Sequence, residues 1–155
     1  ELLPQVADAL AGLSAGDPEA FSKGLIQMAT DLATRSSPAS SENGTEEEGD
    51  EAEASKTGGK AVPTDVLRDA LKLVLLLIAA LHREALVVAS AAEKLRNLPA
   101  QRATVDHLAA RYTVEHLDRS IEAVREAEHM LDRNVAPQLM GEWLAVALRG
   151  ELPAA

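Results

Sequence analysis

The sequence TDVLRDALKLVLLLIAALH at positions 64–82 decides the fold. Pro63, Thr64 and Asp65 offer a helix start, and the apolar residues that follow cover most of the circumference of a helix. A helix that is apolar nearly all round is buried by its neighbours, so this stretch predicts a central helix. The longest unbroken apolar run, 73–81, has nine residues. Because a membrane span needs about 20 apolar residues, we expect a buried core helix and no membrane segment.

Composition points in the same direction. Hydrophobic residues make up 46% of the chain, but only Phe21, Tyr112 and Trp143 are aromatic. The apolar residues are mainly Leu, Ala and Val, and Leu and Ala are strong helix formers. We therefore predict an all-α fold, a compact bundle of about five to seven helices without a strand.

The central helix has a predicted limit. Its apolar pattern extends as far as Leu98, a length that is unusual for a helix in a globular domain. We expect a break or bend between Arg83 and Ala91, and an end of the helical pattern at Pro99.

Two helices are predicted before this stretch. Apolar residues recur at helical spacing over about 2–14, and Ala15-Gly16 then interrupts the pattern. Asp17 can cap a second amphipathic helix that Pro18 opens. The two helices form a short hairpin.

Three more helices are predicted after it, over about 102–111, 114–133 and 137–149. Thr113 suits the N-cap of the second of these. Asn134 suits the left-handed position after its end, and Pro137 suits the first turn of the third. Asn134 and Pro137 thus form a predicted structural joint between two helices.

An acidic segment, 36–62, divides the chain into an N-terminal hairpin at 1–35 and a remainder at 63–150. It carries seven acidic residues against Lys56 and Lys60 and almost no bulky apolar side chain, so it predicts disorder. Two interpretations are open: an acidic interaction element, or a surface insertion that the fold tolerates.

The sequence lacks the usual signs of catalysis. There is no cysteine, which excludes disulfides and thiolate sites and agrees with a cytoplasmic protein. Gly59-Lys60 is followed by Ala61, which does not match a phosphate-binding loop. Glu126 and His129 have the spacing of a di-iron site without the second copy that such a site needs. We predict no metal, no cofactor, no small-molecule substrate and no enzymatic activity.

The net charge of −10 predicts no direct nucleic-acid contact, because a polyphosphate ligand requires a basic surface. For His82, packing or capping of helix carbonyls is the expected role.

Because the chain starts at Glu1, we expect it to be a piece of a longer protein.

Three motifs, taken in order, resemble a known family. They are Val66-Leu67-Arg68-Asp69 with the Leu-rich run after it, HLAARYTVEHLDRSIEAV at 107–124 and LDRNVAPQLMGEWLAVAL at 131–148. Their order and spacing are similar to those of the C-terminal collar domain of the δ′ subunit of the bacterial DNA polymerase III clamp loader. The collar domain of the γ/τ subunit is the related alternative. The chain departs from the family pattern in its acidic insert and in VVASAAEKLRNLP at 87–99, where the family has an Asn-Pro-Asp segment.

The resemblance implies a non-catalytic oligomerisation domain. It would be one of five collar domains in a hetero-pentamer with γ/τ and δ subunits, within a cytoplasmic, nucleoid-associated replisome. The full-length protein would then be part of the DNA polymerase III holoenzyme, a nucleotidyltransferase complex. Mixed core and interface positions are expected on the last helix, at Leu139, Met140, Trp143 and Val146. The alternative is an independent helical adaptor whose acidic insert binds a basic partner.

Overall fold

The computed structural model describes residues 2–13, 17–36, 62–95 and 97–150, and within these ranges the chain is all-helical, without strands. The α-helices are α1 (Leu2–Leu13), α2 (Pro18–Ser36), α3 (Thr64–Ala89), α4 (Arg102–Arg111), α5 (Val114–Asp132) and α6 (Pro137–Arg149). Two short 3-10 helices, Glu93–Leu95 and Pro99–Gln101, lie between α3 and α4. The predicted helical bundle is confirmed.

The central helix, α3, is continuous past Arg83 and ends at Ala89. The turn that ends it lies at the far end of the interval where we predicted a break. The amide of Ala91 donates to the carbonyl oxygen of Val88 at 3.0 Å, and that of Ala92 donates to the carbonyl oxygen of Val87 at 3.0 Å. Ala91 adopts a φ of 55°, an uncommon conformation for a residue with a side chain.

α3 packs against α1, α2, α4 and α5. Its fully enclosed side chains form the middle of the core, and they are Leu71, Val74, Leu75, Ile78 and Leu81. The expectation that the whole apolar run is buried is nevertheless wrong, because Leu73 and Leu76 are exposed. The physical reason is that the neighbours of α3 in the described structure leave one side of the helix uncovered.

Polar contacts show the direction of α5 relative to α3. The Lys72 ammonium lies 2.6 Å from the Asp132 carboxylate, and the Arg68 guanidinium donates to the Asn134 side-chain oxygen. The start of α3 therefore lies beside the end of α5, and the two helices run antiparallel. The hydrogen bond between Lys72 and Asp132 raises the pKa of Lys72 and lowers the pKa of Asp132.

α2 and α6 approach each other closely at a glycine. The Ser22 hydroxyl donates to the carbonyl oxygen of Gln138 at 2.9 Å, and Gly141 faces Ser22. A Cβ atom on Gly141 would lie 2.5 Å from the Ser22 Oγ and 3.0 Å from its Cα. Only a residue without a side chain fits at this helix contact.

The predicted insert at 36–62 lies outside the described residues except at its two ends. Ser36 is the last residue of α2, and Val62 is partly buried against the core. The N-terminal pair of helices shares this core, since α1 contacts α3 and α2 contacts both α3 and α6.

Candidate interaction surfaces

The described residues contain no group of three or more His, Cys, Asp or Glu side chains that could hold a metal ion. Glu126 and His129, the pair with di-iron spacing, are both exposed on α5. In the part of the chain that the structure describes, no helix has enough length and apolar character for a bilayer crossing.

His82 lies inside the core. It is buried, and its Nδ1 is 2.9 Å from the carbonyl oxygen of Ile78, one turn earlier in α3. Because a carbonyl only accepts, Nδ1 carries the proton in this contact. Burial lowers the pKa of His82 to about 4, so the ring is neutral at physiological pH. It packs and bonds within its own helix.

Glu84 has a buried carboxylate that no sequence pattern predicted. One oxygen accepts the backbone N–H of Asn97 at 2.8 Å, and the other lies 3.1 Å from Nη1 of Arg83. A buried carboxylate is costly unless such donors satisfy it. Glu84 therefore holds the segment after α3 against the helix. No local sequence pattern predicts this role.

The joint between α4 and α5 is built from a cap and a ring stack. The Thr113 hydroxyl accepts the backbone N–H of His116 at 3.2 Å, which confirms the predicted N-cap. The rings of Tyr112 and His116 stack with their centroids 4.2 Å apart. Nε2 of His116 then donates to the carbonyl oxygen of Leu148 at 2.8 Å. This joint therefore also satisfies a carbonyl at the end of α6.

The joint between α5 and α6 has the predicted geometry. Asn134 adopts a φ of 60°, in the left-handed region. Its backbone N–H donates to the carbonyl oxygen of Leu131 at 3.1 Å. Pro137 is the first residue of α6. The two residues thus reverse the chain between α5 and α6 as expected for a helix end followed by a proline start.

The four residues selected on α6 divide between the core and the surface. Met140 is fully enclosed and is a core residue. Leu139 is 58% exposed, while Trp143 and Val146 are half-buried. Leu139, Trp143 and Val146 follow each other at spacings of four and three, so they lie on one side of the helix. We call these three residues the α6 stripe.

A second exposed apolar surface lies on α3, where Leu73 is 41% and Leu76 is 59% exposed. Val114 at the start of α5 and Leu95 after α3 are exposed apolar residues at separate positions. Scattered apolar residues are normal at a surface, whereas neighbouring ones on one helix face form a candidate interaction surface.

The surface between α1 and α2 contains a groove. It has a volume of about 320 Å³ and is lined mainly by small and apolar residues, with Asp17 as its charged member. A catalytic site requires several convergent polar or titratable groups, which this groove does not bring together.

Comparison with protein-family models, with curated proteins and with solved structures finds no match to this chain.

Proposed function

We propose that this chain is a non-catalytic collar domain of a bacterial clamp-loader δ′ subunit. It packs helix faces against γ/τ and δ subunits and holds the hetero-pentamer together while a sliding clamp is loaded in DNA replication. The observation that carries the proposal is the α6 stripe, which stays exposed or half-buried while Met140 beside it is enclosed in the core.

The position of the stripe supports this assignment. Leu139 lies two residues after Pro137, within the segment whose Asn-x-x-Pro turn and following Leu resemble the family. An exposed Leu beside a half-buried Trp gives a neighbouring subunit an apolar anchor, and large aromatic side chains are enriched at such anchors. Met140, the residue after Leu139, is enclosed in the core.

The stripe can be tested by a charge introduced at its most exposed position. Leu139→Asp should weaken co-purification of the chain with γ/τ and δ subunits by about tenfold or more, because a buried unpaired carboxylate is costly at an interface. Val114→Asp is the matched control, since it adds the same charge at an exposed apolar residue elsewhere and should leave binding unchanged. Equal binding by both variants and the parent chain would show that the stripe is not part of the interface.

The alternative proposal is an adaptor that binds a basic partner through its acidic segment. The observation that favours it is the seven acidic residues of 36–62. Replacing 37–61 by an uncharged Gly/Ser segment of the same length should abolish binding in this case, because the charge attraction is lost. In the collar proposal, the same replacement leaves assembly with γ/τ and δ nearly unchanged.

A further inference from the structure

The exposed side of α3 carries a regular pattern. Asp69, Leu73, Leu76, Ala80, Arg83 and Val87 succeed one another at alternating spacings of four and three residues. These residues share one side of the helix, and each of them is exposed or half-buried. We call them the α3 seam. At a rise of about 1.5 Å per residue, the seam is about 27 Å long.

Alternating spacings of four and three are the pattern by which one helix packs along another. On the buried sides of α3, the helices α1, α2, α4 and α5 take up such contacts. Along the seam, Leu73 and Leu76 contribute the largest exposed apolar side chains. A further helix laid along the seam would bury them, and this burial would drive association.

The charges of the seam indicate which helix fits. Asp69 lies on the N-terminal side of the two leucines and Arg83 on the C-terminal side, and both are exposed. Two copies of α3 that meet in parallel would face Asp69 with Asp69 and Arg83 with Arg83. Two antiparallel copies would instead bring each Asp69 within about one turn of the partner's Arg83. The seam is therefore complementary to itself only in the antiparallel arrangement.

We propose that the α3 seam binds a second copy of this chain in an antiparallel, two-fold symmetric dimer. The axis passes close to Leu76, so that Leu73 and Leu76 of both copies form the apolar centre. Asp69 and Arg83 form an ion pair at each end. This pairing is independent of the collar proposal, which depends on α6.

Arg83 can serve both its own chain and the partner. Its Nη1 lies 3.1 Å from the buried carboxylate of Glu84, while more than half of its side chain is exposed. A guanidinium has five N–H donors, so one contact with Glu84 leaves donors for Asp69 of a second copy. The contact with Glu84 thereby keeps the Arg83 guanidinium at the edge of the seam.

The dimer is expected to be weak. Two helices that meet over about 27 Å bury less than the roughly 1,600 Å² of a standard interface, which implies a micromolar Kd or weaker. Sedimentation velocity of the full chain at rising concentration, at about 0.15 M salt, should show a reversible shift from monomer to dimer. A single monomeric species up to millimolar concentration would overturn the proposal.

Leu76→Glu should abolish this shift, because it places two carboxylates beside the axis. Val114→Glu adds the same charge outside the seam and should dimerise like the parent chain. Circular dichroism identifies any variant that has lost its helices. A folded Leu76→Glu variant that still dimerises would contradict the proposed surface.

Charge reversal tests the antiparallel arrangement. Asp69→Arg or Arg83→Asp alone should weaken the dimer, since each creates like-charged pairs at both ends. The double variant with both changes should dimerise more tightly than either single variant, and so should an equimolar mixture of the two single variants. Failure of both combinations to recover, while each single change weakens the dimer, would contradict antiparallel pairing.

Because the chain has no cysteine, a single introduced thiol reports on proximity. Leu76→Cys should give a dimer with a short bis-maleimide in high yield, since the two thiols lie beside one axis. Glu126→Cys on the exposed side of α5 is the control and should stay largely monomeric. Equal yields from both positions would indicate random collisions and would overturn the proposal.

Discussion

His82 shows how burial changes the chemistry of a single residue. Burial holds its pKa at about 4, against 6.5 for an exposed histidine. Below pH 6.5 the unfolded chain therefore binds a proton that the folded chain does not accept. The sequence predicted that this histidine packs or caps, but its apolar surroundings depend on α3 and on the helices that cover it.

The pH dependence of stability tests this state of His82. As pH falls from about 6.5 towards about 4, His82 should remove up to about 3 kcal/mol from the free energy of unfolding. His82→Gln removes this dependence, so the stability difference between the parent chain and the variant should shrink over that range. Urea denaturation at several pH values measures it. His107→Gln, at an exposed position, is the control, and its stability should depend on pH as that of the parent chain does. If the stability of His82→Gln changed with pH in parallel with the parent chain, the result would contradict a neutral buried ring.

Gly141 and Gly24 provide a matched pair of helix glycines. Gly141→Ala should destabilise the chain by about 1–3 kcal/mol, because the new Cβ atom overlaps Ser22, including its backbone. Gly24→Ala meets no atom within 4 Å and should stabilise α2 by up to about 1 kcal/mol. Thermal or urea unfolding of both variants shows whether each change raises or lowers the free energy of unfolding. Changes of the same sign and size would show that α2 and α6 do not approach as closely as described.

Glu84 marks the limit of sequence interpretation at the residue scale. Its sequence neighbours, Arg83 and Ala85, do not distinguish it from an exposed helix glutamate. Its carboxylate accepts a hydrogen bond from the backbone N–H of Asn97, which lies 13 residues further along the chain. Contacts of this kind form only once the turn after α3 is folded.

At the scale of helices, the sequence predicted most of what the structure contains. Pro18, Thr113 and Pro137 mark helix starts through geometry that is local to the residue, and all three starts are observed. The end of α3 was predicted less sharply, within an interval and not at one residue. It depends on Ser90 and Ala91, which are common residues without a turn signature.

The joint at Asn134 makes an element-scale prediction. Asn134→Val should destabilise the chain by about 1–3 kcal/mol, because a β-branched residue is strained at a φ of 60°. Asn134→Gly is the control: it also loses the contact with Arg68 but accepts this backbone conformation. Chemical denaturation should therefore give a clearly larger free energy of unfolding for the glycine variant than for the valine variant. Equal stability of the two variants would mean that the turn does not require the left-handed conformation.

The exposed residues on α3 are the largest departure from the predicted burial at this scale. Apolar coverage around a helix shows that it needs neighbours, but not whether those neighbours belong to the same chain. Leu73 and Leu76 have the same residue type as Leu71 and Leu75, which are enclosed. The α6 stripe has the same property, since Leu139 and Met140 are adjacent in sequence and opposite in exposure.

For the whole molecule, the described residues form one helical core with two exposed apolar surfaces on separate helices. We propose a different partner for each: clamp-loader subunits for the α6 stripe, and a second copy of this chain for the α3 seam. The assignment of the stripe rests on the resemblance at 107–124 and 131–148 together with its exposure.

We propose that this chain assembles with clamp-loader subunits, and native mass spectrometry measures that assembly most directly. The chain is mixed with γ/τ and δ subunits, and the Leu139→Asp variant is run beside it. We predict a five-subunit particle that contains one copy of this chain, and its loss in the variant. A chain that remains outside every particle formed by γ/τ and δ subunits would contradict the collar assignment.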